Sequence, residues 1–114
     1  MSECLFCAIA AGDIPADVVH SDDRVIAFRD IAPQAPVHVL VIPREHHDNA
    51  ADIALADPDL AAQLLRVAGA VAAQEGVADS GYRIVSNTGE GAGQSVGHVH
   101  FHVLGGRGLA WPPG

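Results

Sequence analysis

His98-Val99-His100-Phe101-His102-Val103-Leu104 places three imidazoles at strict alternation with apolar residues. In an extended strand alternate side chains share a face, about 6.6 Å apart along it. His98, His100 and His102 therefore point one way, and Val99, Phe101 and Val103 point the other, into a core. Imidazole titrates near neutrality, so such a row serves a nucleophile, proton handling or metal ligation. Thr88–Gly97 enters this strand and carries Gly89, Gly91, Gly93 and Gly97. Glycines let backbone N–H groups approach an anion closely. With the polar Gln94 and Ser95 before the histidines, the loop reads as a phosphate cradle.

Working outward, Val18–His20 and Val25–Asp30 read as strands around the turn Ser21-Asp22-Asp23. Val37–Ile42 is a strand stopped by Pro43, and Tyr82–Asn87 is another, with Val96–Leu104 the last. Asp57 is an N-cap with Pro58 at the first helical position and Gly76 just past the end. Between them Leu60, Leu64, Val67, Ala68 and Val71 recur at helical spacing. A short helix spans Cys4–Ala11 and ends at Gly12. The pattern predicts an α+β domain over residues 1–114. Its five strands form a mostly antiparallel sheet, and one long and one short helix lie on one face.

Composition excludes several function classes. The chain has 114 residues, a net charge of −8 and 4 % aromatic residues, with a pI near 5.0. Nucleic acid and anionic membrane surfaces attract the opposite charge, and stacking platforms need more aromatic rings. There is no lysine, so Schiff-base and P-loop chemistry are closed. No apolar run is long enough to span a bilayer. Met1-Ser2-Glu3-Cys4 lacks the features of a secretory leader, which makes the cytoplasm the expected compartment. An acidic protein can still bind a phosphate through local donors, because distant charges are screened beyond about 10 Å.

The histidine row, with Phe28-Arg29-Asp30-Ile31-Ala32-Pro33-Gln34-Ala35-Pro36, His38-Val39-Leu40-Val41-Ile42-Pro43, Gly93-Gln94-Ser95-Val96, Gly105-Gly106-Arg107 and Trp111-Pro112-Pro113-Gly114, resembles the histidine triad (HIT) superfamily. The likeness is to its Hint branch and runs from Cys4 to the terminus. The resemblance implies a dimerising HIT-like fold that binds purine nucleotides and cleaves phosphoramidates at the α-phosphorus. It makes His100 the nucleophile, with His102 beside the phosphate and His38 in support. A neutral imidazole can attack phosphorus, giving a nucleotidyl-histidine that water hydrolyses. Its other nitrogen then needs a fixed acceptor such as a backbone carbonyl. Gln94, Ser95 and Gly93 are implied at the phosphate, with Ser95 near the leaving nitrogen and Asn87 near phosphate and ribose. Asp30 is implied at the ribose hydroxyls, since a carboxylate can accept from both. Leu5, Phe6, Ile9, Ile14, Phe28 and Ile31 match the walls of the base pocket. Trp111 belongs to a tail that reaches toward the partner's site in family dimers. Dinucleoside polyphosphate hydrolysis and a nucleotide-binding regulatory module are the alternatives, the first opposed by the short tail.

Cys4-Leu5-Phe6-Cys7 alone reads as a redox pair, half a zinc site or chance. Two cysteines cannot close a tetrahedral zinc site. The resemblance implies structural zinc on Cys4, Cys7, His46 and His98, with His47 an alternative ligand and no catalytic metal.

Overall fold

The computed structural model describes residues 4–114; residues 1–3, part of the stretch read for a leader, lie outside them. Five strands form one antiparallel sheet: β1 (Val18–Ser21), β2 (Val25–Arg29), β3 (Val37–Pro43), β4 (Tyr82–Val85) and β5 (Phe101–Gly105). Their spatial order is β1-β2-β3-β5-β4. Three helices accompany it: α1 (Leu5–Ala10), α2 (Ala50–Ala56) and α3 (Pro58–Gln74). Among the described residues no helix is long and apolar enough to cross a membrane.

The long helix starts where its chemistry places it. The Asp57 carboxylate accepts the Leu60 N–H, and Pro58 sits at the first position, where no N–H is needed. Its apolar stripe (Leu60, Leu64, Val67, Ala68, Val71) packs on Val25, Ala27, Val39, Val41, Phe101 and Val103 from the sheet. The helices do not all share this face. α1 lies on the opposite one, where Phe6 and Ile9 cover Ile26, Phe28, Leu40 and Ile42. The physical reason is in β2 and β3, which are apolar at successive positions. Successive side chains point to opposite faces, so both faces need a cover.

Most element boundaries fall within one residue of the sequence reading, and two strand boundaries differ by more. The last strand begins at Phe101 rather than Val96, because the Val99 N–H donates to the His47 carbonyl at 2.7 Å instead of to a strand. β4 ends at Val85 rather than Asn87, because the Ser86 hydroxyl donates to the His100 carbonyl at 2.9 Å. The extra helix α2 is capped by the Asn49 side chain, which accepts the Asp52 N–H at 2.9 Å. A 3₁₀ turn, Glu90–Ala92, lies within the glycine loop.

Candidate active site and metal centre

The α1 face of the sheet carries the polar residues of the site. In the register, Phe28 pairs Leu40 and Leu40 pairs His102. Alternation therefore adds Asp30 beyond Phe28, His38 beyond Leu40, and His100 before His102 to the same face. A cleft of about 270 Å³ opens there. Leu5, Phe6, Ile9, Ile14, Phe28 and Ile31 form apolar walls, and Asp30, Ser95, His100 and His102 supply its polar groups. A few polar groups in a mostly apolar concavity suit a small organic ligand.

Hydrogen bonds fix the tautomers. The Gln34 N–H donates to His38 Nδ1 at 3.0 Å. That nitrogen is bare, so neutral His38 carries its proton on Nε2 and donates to His102 Nδ1 at 2.8 Å. His102 then carries its proton on Nε2. His100 donates from Nδ1 to the His98 carbonyl at 2.8 Å, which leaves Nε2 with the lone pair. The row thus alternates a lone pair on His100 with a donor on His102. Burial pushes His38 below the usual imidazole range, opposed by the Asp30 charge. Burial, then the nearby His100 and His38, pushes His102 down to about 4. Both rings are neutral at pH 7.

Asp30 Oδ1 accepts the Ala32 N–H at 2.9 Å, and Oδ2 lies 3.5 Å from His38 Nε2. Gln94 is tied into its own loop. Its Oε1 accepts the Gly89 N–H at 2.8 Å, and its Nε2 donates to the carbonyls of Asp48, at 2.7 Å, and Val96. Gly93, at φ +83° with left-handed backbone, closes the 3₁₀ turn. Gly93, Gln94 and Asn87 do not line the cleft, and neither does Trp111, which is 82 % exposed.

Beside the cleft, ligand atoms of Cys4, Cys7, His46 and His98 all lie within 4.8 Å of one another. His98 Nδ1 is 3.3 Å from Cys4 Sγ, and His46 Nδ1 is 3.4 Å from Cys7 Sγ. Each ring's outer nitrogen has its own acceptor. His98 Nε2–H donates to the Pro43 carbonyl at 2.8 Å, and His46 Nε2–H to Asp48 Oδ1 at 3.1 Å. Both lone pairs therefore face the two sulfurs, the arrangement of metal-bound imidazoles held from behind. Two thiols and two imidazoles fit the closed tetrahedral site of a structural Zn²⁺. His47 instead pairs with Glu45 at 2.7 Å. Asp30, His38 and His102 also cluster, but the two imidazoles spend their facing nitrogens on each other, so that group fits no metal. The orienting acceptors Pro43 and Asp48 carried no sequence signal, since a carbonyl is common to all residues and an aspartate in a polar loop is ordinary.

A family model described as the HIT domain matches residues 11–109. The chain belongs to the HIT family. Within it, the chain is 44 % identical over 107 residues to the purine nucleoside phosphoramidase of Escherichia coli K12, covering 94 % of this chain and 90 % of that one. It is 47 % identical over 116 residues to a 14 kDa zinc-binding protein of Zea mays, covering 99 % and 89 %. Among solved HIT structures, a HIT family hydrolase from Legionella pneumophila superposes with a TM-score of 0.95 at 50 % identity, covering 98 % of this chain and 100 % of that one.

Proposed function

We propose that this HIT protein hydrolyses purine nucleoside phosphoramidates at the α-phosphorus. The observation that carries the reading is the His100 tautomer: Nδ1–H is spent on the His98 carbonyl, so Nε2 holds a lone pair in the cleft. The relative named a purine nucleoside phosphoramidase supports it.

In the first step the His100 Nε2 lone pair forms a bond to phosphorus and the P–N bond to the leaving amine breaks. The amine takes a proton as it departs, and Ser95, which lines the cleft, is the residue that assists. In the second step water attacks phosphorus and gives up a proton that replaces the one taken by the amine, the P–Nε2 bond breaks with its electron pair returning to Nε2, and the nucleoside monophosphate leaves. The His102 Nε2–H faces the charge on the phosphate oxygens, a fixed donor where charge develops. Asp30 takes the ribose hydroxyls, and the apolar walls take the base. Zn²⁺ on Cys4, Cys7, His46 and His98 supplies cross-linking rather than chemistry. The same reading makes the protein a cytoplasmic homodimer, in a compartment that keeps thiols reduced. Exposed Trp111 then reaches the partner's cleft.

Steady-state hydrolysis of adenosine phosphoramidate by wild type and His100→Ala tests this. Loss of several orders of magnitude in kcat is expected, as for other deleted nucleophiles. Undiminished turnover in the variant refutes the mechanism. A wild type that binds AMP without turnover is a nucleotide-binding module instead.

A further inference from the structure

The cleft and the cysteine–histidine cluster are written into the same two stretches of backbone. In Cys4-Leu5-Phe6-Cys7 the outer residues give thiols to the cluster and the inner two line the cleft. In His98-Val99-His100 the first imidazole belongs to the cluster and the third residue lines the cleft. Phe6 stands edge-on to His100 with ring centroids 5.0 Å apart, and edge-on to Phe28 at 5.7 Å. The same side chain thus forms a wall and supports the imidazole.

α1 has six residues, too few to hold a helix by its own hydrogen bonds. It is fixed at its C-terminal end, where Arg44 Nη1 donates to the Ala10 carbonyl at 2.7 Å. At its N-terminal end Phe6 packs on Phe28 and His100, and the thiols on either side of it meet His98 and His46. The cluster also holds the glycine loop. The loop bearing His46 gives the Asp48 carbonyl to Gln94, next to Ser95, and the His47 carbonyl to the Val99 N–H.

We propose that a thiolate-seeking divalent metal ion in this cluster and a nucleotide in the cleft bind with positive linkage, carried by α1. The inference rests on the cleft being a nucleotide site. When four donors converge on one ion, Leu5 and Phe6 are held as a preformed wall. When the ion leaves, the N-terminal end of α1 keeps its Phe6 packing and weak thiol–imidazole contacts but loses the four-donor cross-link, and a nucleotide must order the wall at the expense of its own binding energy. Coupling between two ligands is reciprocal, so the nucleotide tightens metal binding by the same factor.

Calorimetric titration of AMP into zinc-loaded and chelator-stripped wild type reads the linkage directly. AMP is expected to bind about tenfold more weakly to the stripped protein. Competition with a chromophoric chelator is expected to show AMP raising zinc affinity by the same factor. Amide hydrogen exchange of the stripped protein is expected to show lost protection in α1, with β2, β3 and β5 still protected. Cys7→Ser is expected to bind AMP as the stripped protein does and to ignore added zinc. Equal AMP affinity with and without zinc overturns the linkage and leaves the nucleotide reading standing. No AMP binding to the zinc-loaded protein overturns that reading and the linkage with it. Loss of protection throughout the sheet on stripping overturns the assignment to α1, and a Cys7→Ser that responds to zinc like wild type overturns the role of the cluster.

Discussion

His38 Nε2 lies 2.8 Å from His102 Nδ1, and the direction of that hydrogen bond is decided by the Gln34 N–H, which donates to the other nitrogen of the His38 ring. A main-chain donor thus sets which nitrogen of His102 is a donor toward the cleft.

His38→Ala removes the relay and leaves His102 free to adopt either tautomer. Behind metal-bound histidines such orienting groups cost about 10–100-fold when removed, and a fixed tautomer is asked of His102 in the same way. The variant is expected to lose activity on that scale in kcat, while zinc content stays at the wild-type level. Unchanged kcat in the variant refutes the role of the relay.

The buried neutral rings make stability depend on acid. His102 is held at about 4 and His38 below its ordinary value of 6.5. In the unfolded chain both titrate near their ordinary values. As pH falls from 6.5 toward 4 the unfolded chain binds more protons than the folded one, so stability present above 6.5 is lost through this window and levels off below it. Thermal denaturation across that range is expected to show a falling Tm. In His102→Gln the slope is expected to be shallower; an identical slope means that His102 does not carry the effect.

Asp30 contributes a carboxylate with one oxygen on the Ala32 N–H and the other near His38. Asp30→Ala is expected to weaken AMP binding about tenfold, as for a lost charge-assisted hydrogen bond. It is also expected to erase the preference for AMP over its 2′-deoxy analogue. Calorimetry with both nucleotides reads this. If wild type binds the two equally, the ribose assignment fails.

Gly105 ends β5 under the residues that follow α3. A Cβ there would stand 2.9 Å from Val77 Cβ, a contact that only a backbone shift relieves. Gly105→Ala is expected to cost about 1–3 kcal/mol, the scale of overpacking in a dense core. Urea denaturation measures it, and a midpoint equal to wild type refutes the claim.

Strand alternation and helix caps made much of this legible. His98, His100 and His102 share a face even though the hydrogen-bonded strand starts only at Phe101, because extended backbone alternates with or without a ladder partner. Asp57-Pro58 marked the start of α3 through a local side-chain bond. α2 was not legible, since Asn49 is an ordinary polar loop residue and the alanines after it have no strong period. The placement of α1 needed the observation that β2 is apolar on both faces, a property of the sheet as a whole. In the site, Gln94 reads as a phosphate donor by residue type, yet its amide is tied to Gly89, Asp48 and Val96. Two of those three contacts use backbone groups brought near by the loop's own fold, which residue type does not encode.

Because Cys4 and Cys7 bracket the wall residues Leu5 and Phe6 over one helical turn, the spacing between the thiols is fixed. One residue inserted between Cys4 and Cys7 would swing the second thiol by about 100° around the helix axis, away from His46 and His98. The turn from Cys4 to Cys7 is therefore closed to insertion or deletion, and of its two inner residues the exposed Leu5 is the one open to replacement, since Phe6 is buried against Phe28 and His100. Redesign of the cleft at this wall has one position to vary and no loop to lengthen, and the other exposed apolar wall residues, Ile14 and Ile31, are where a larger ligand can be accommodated.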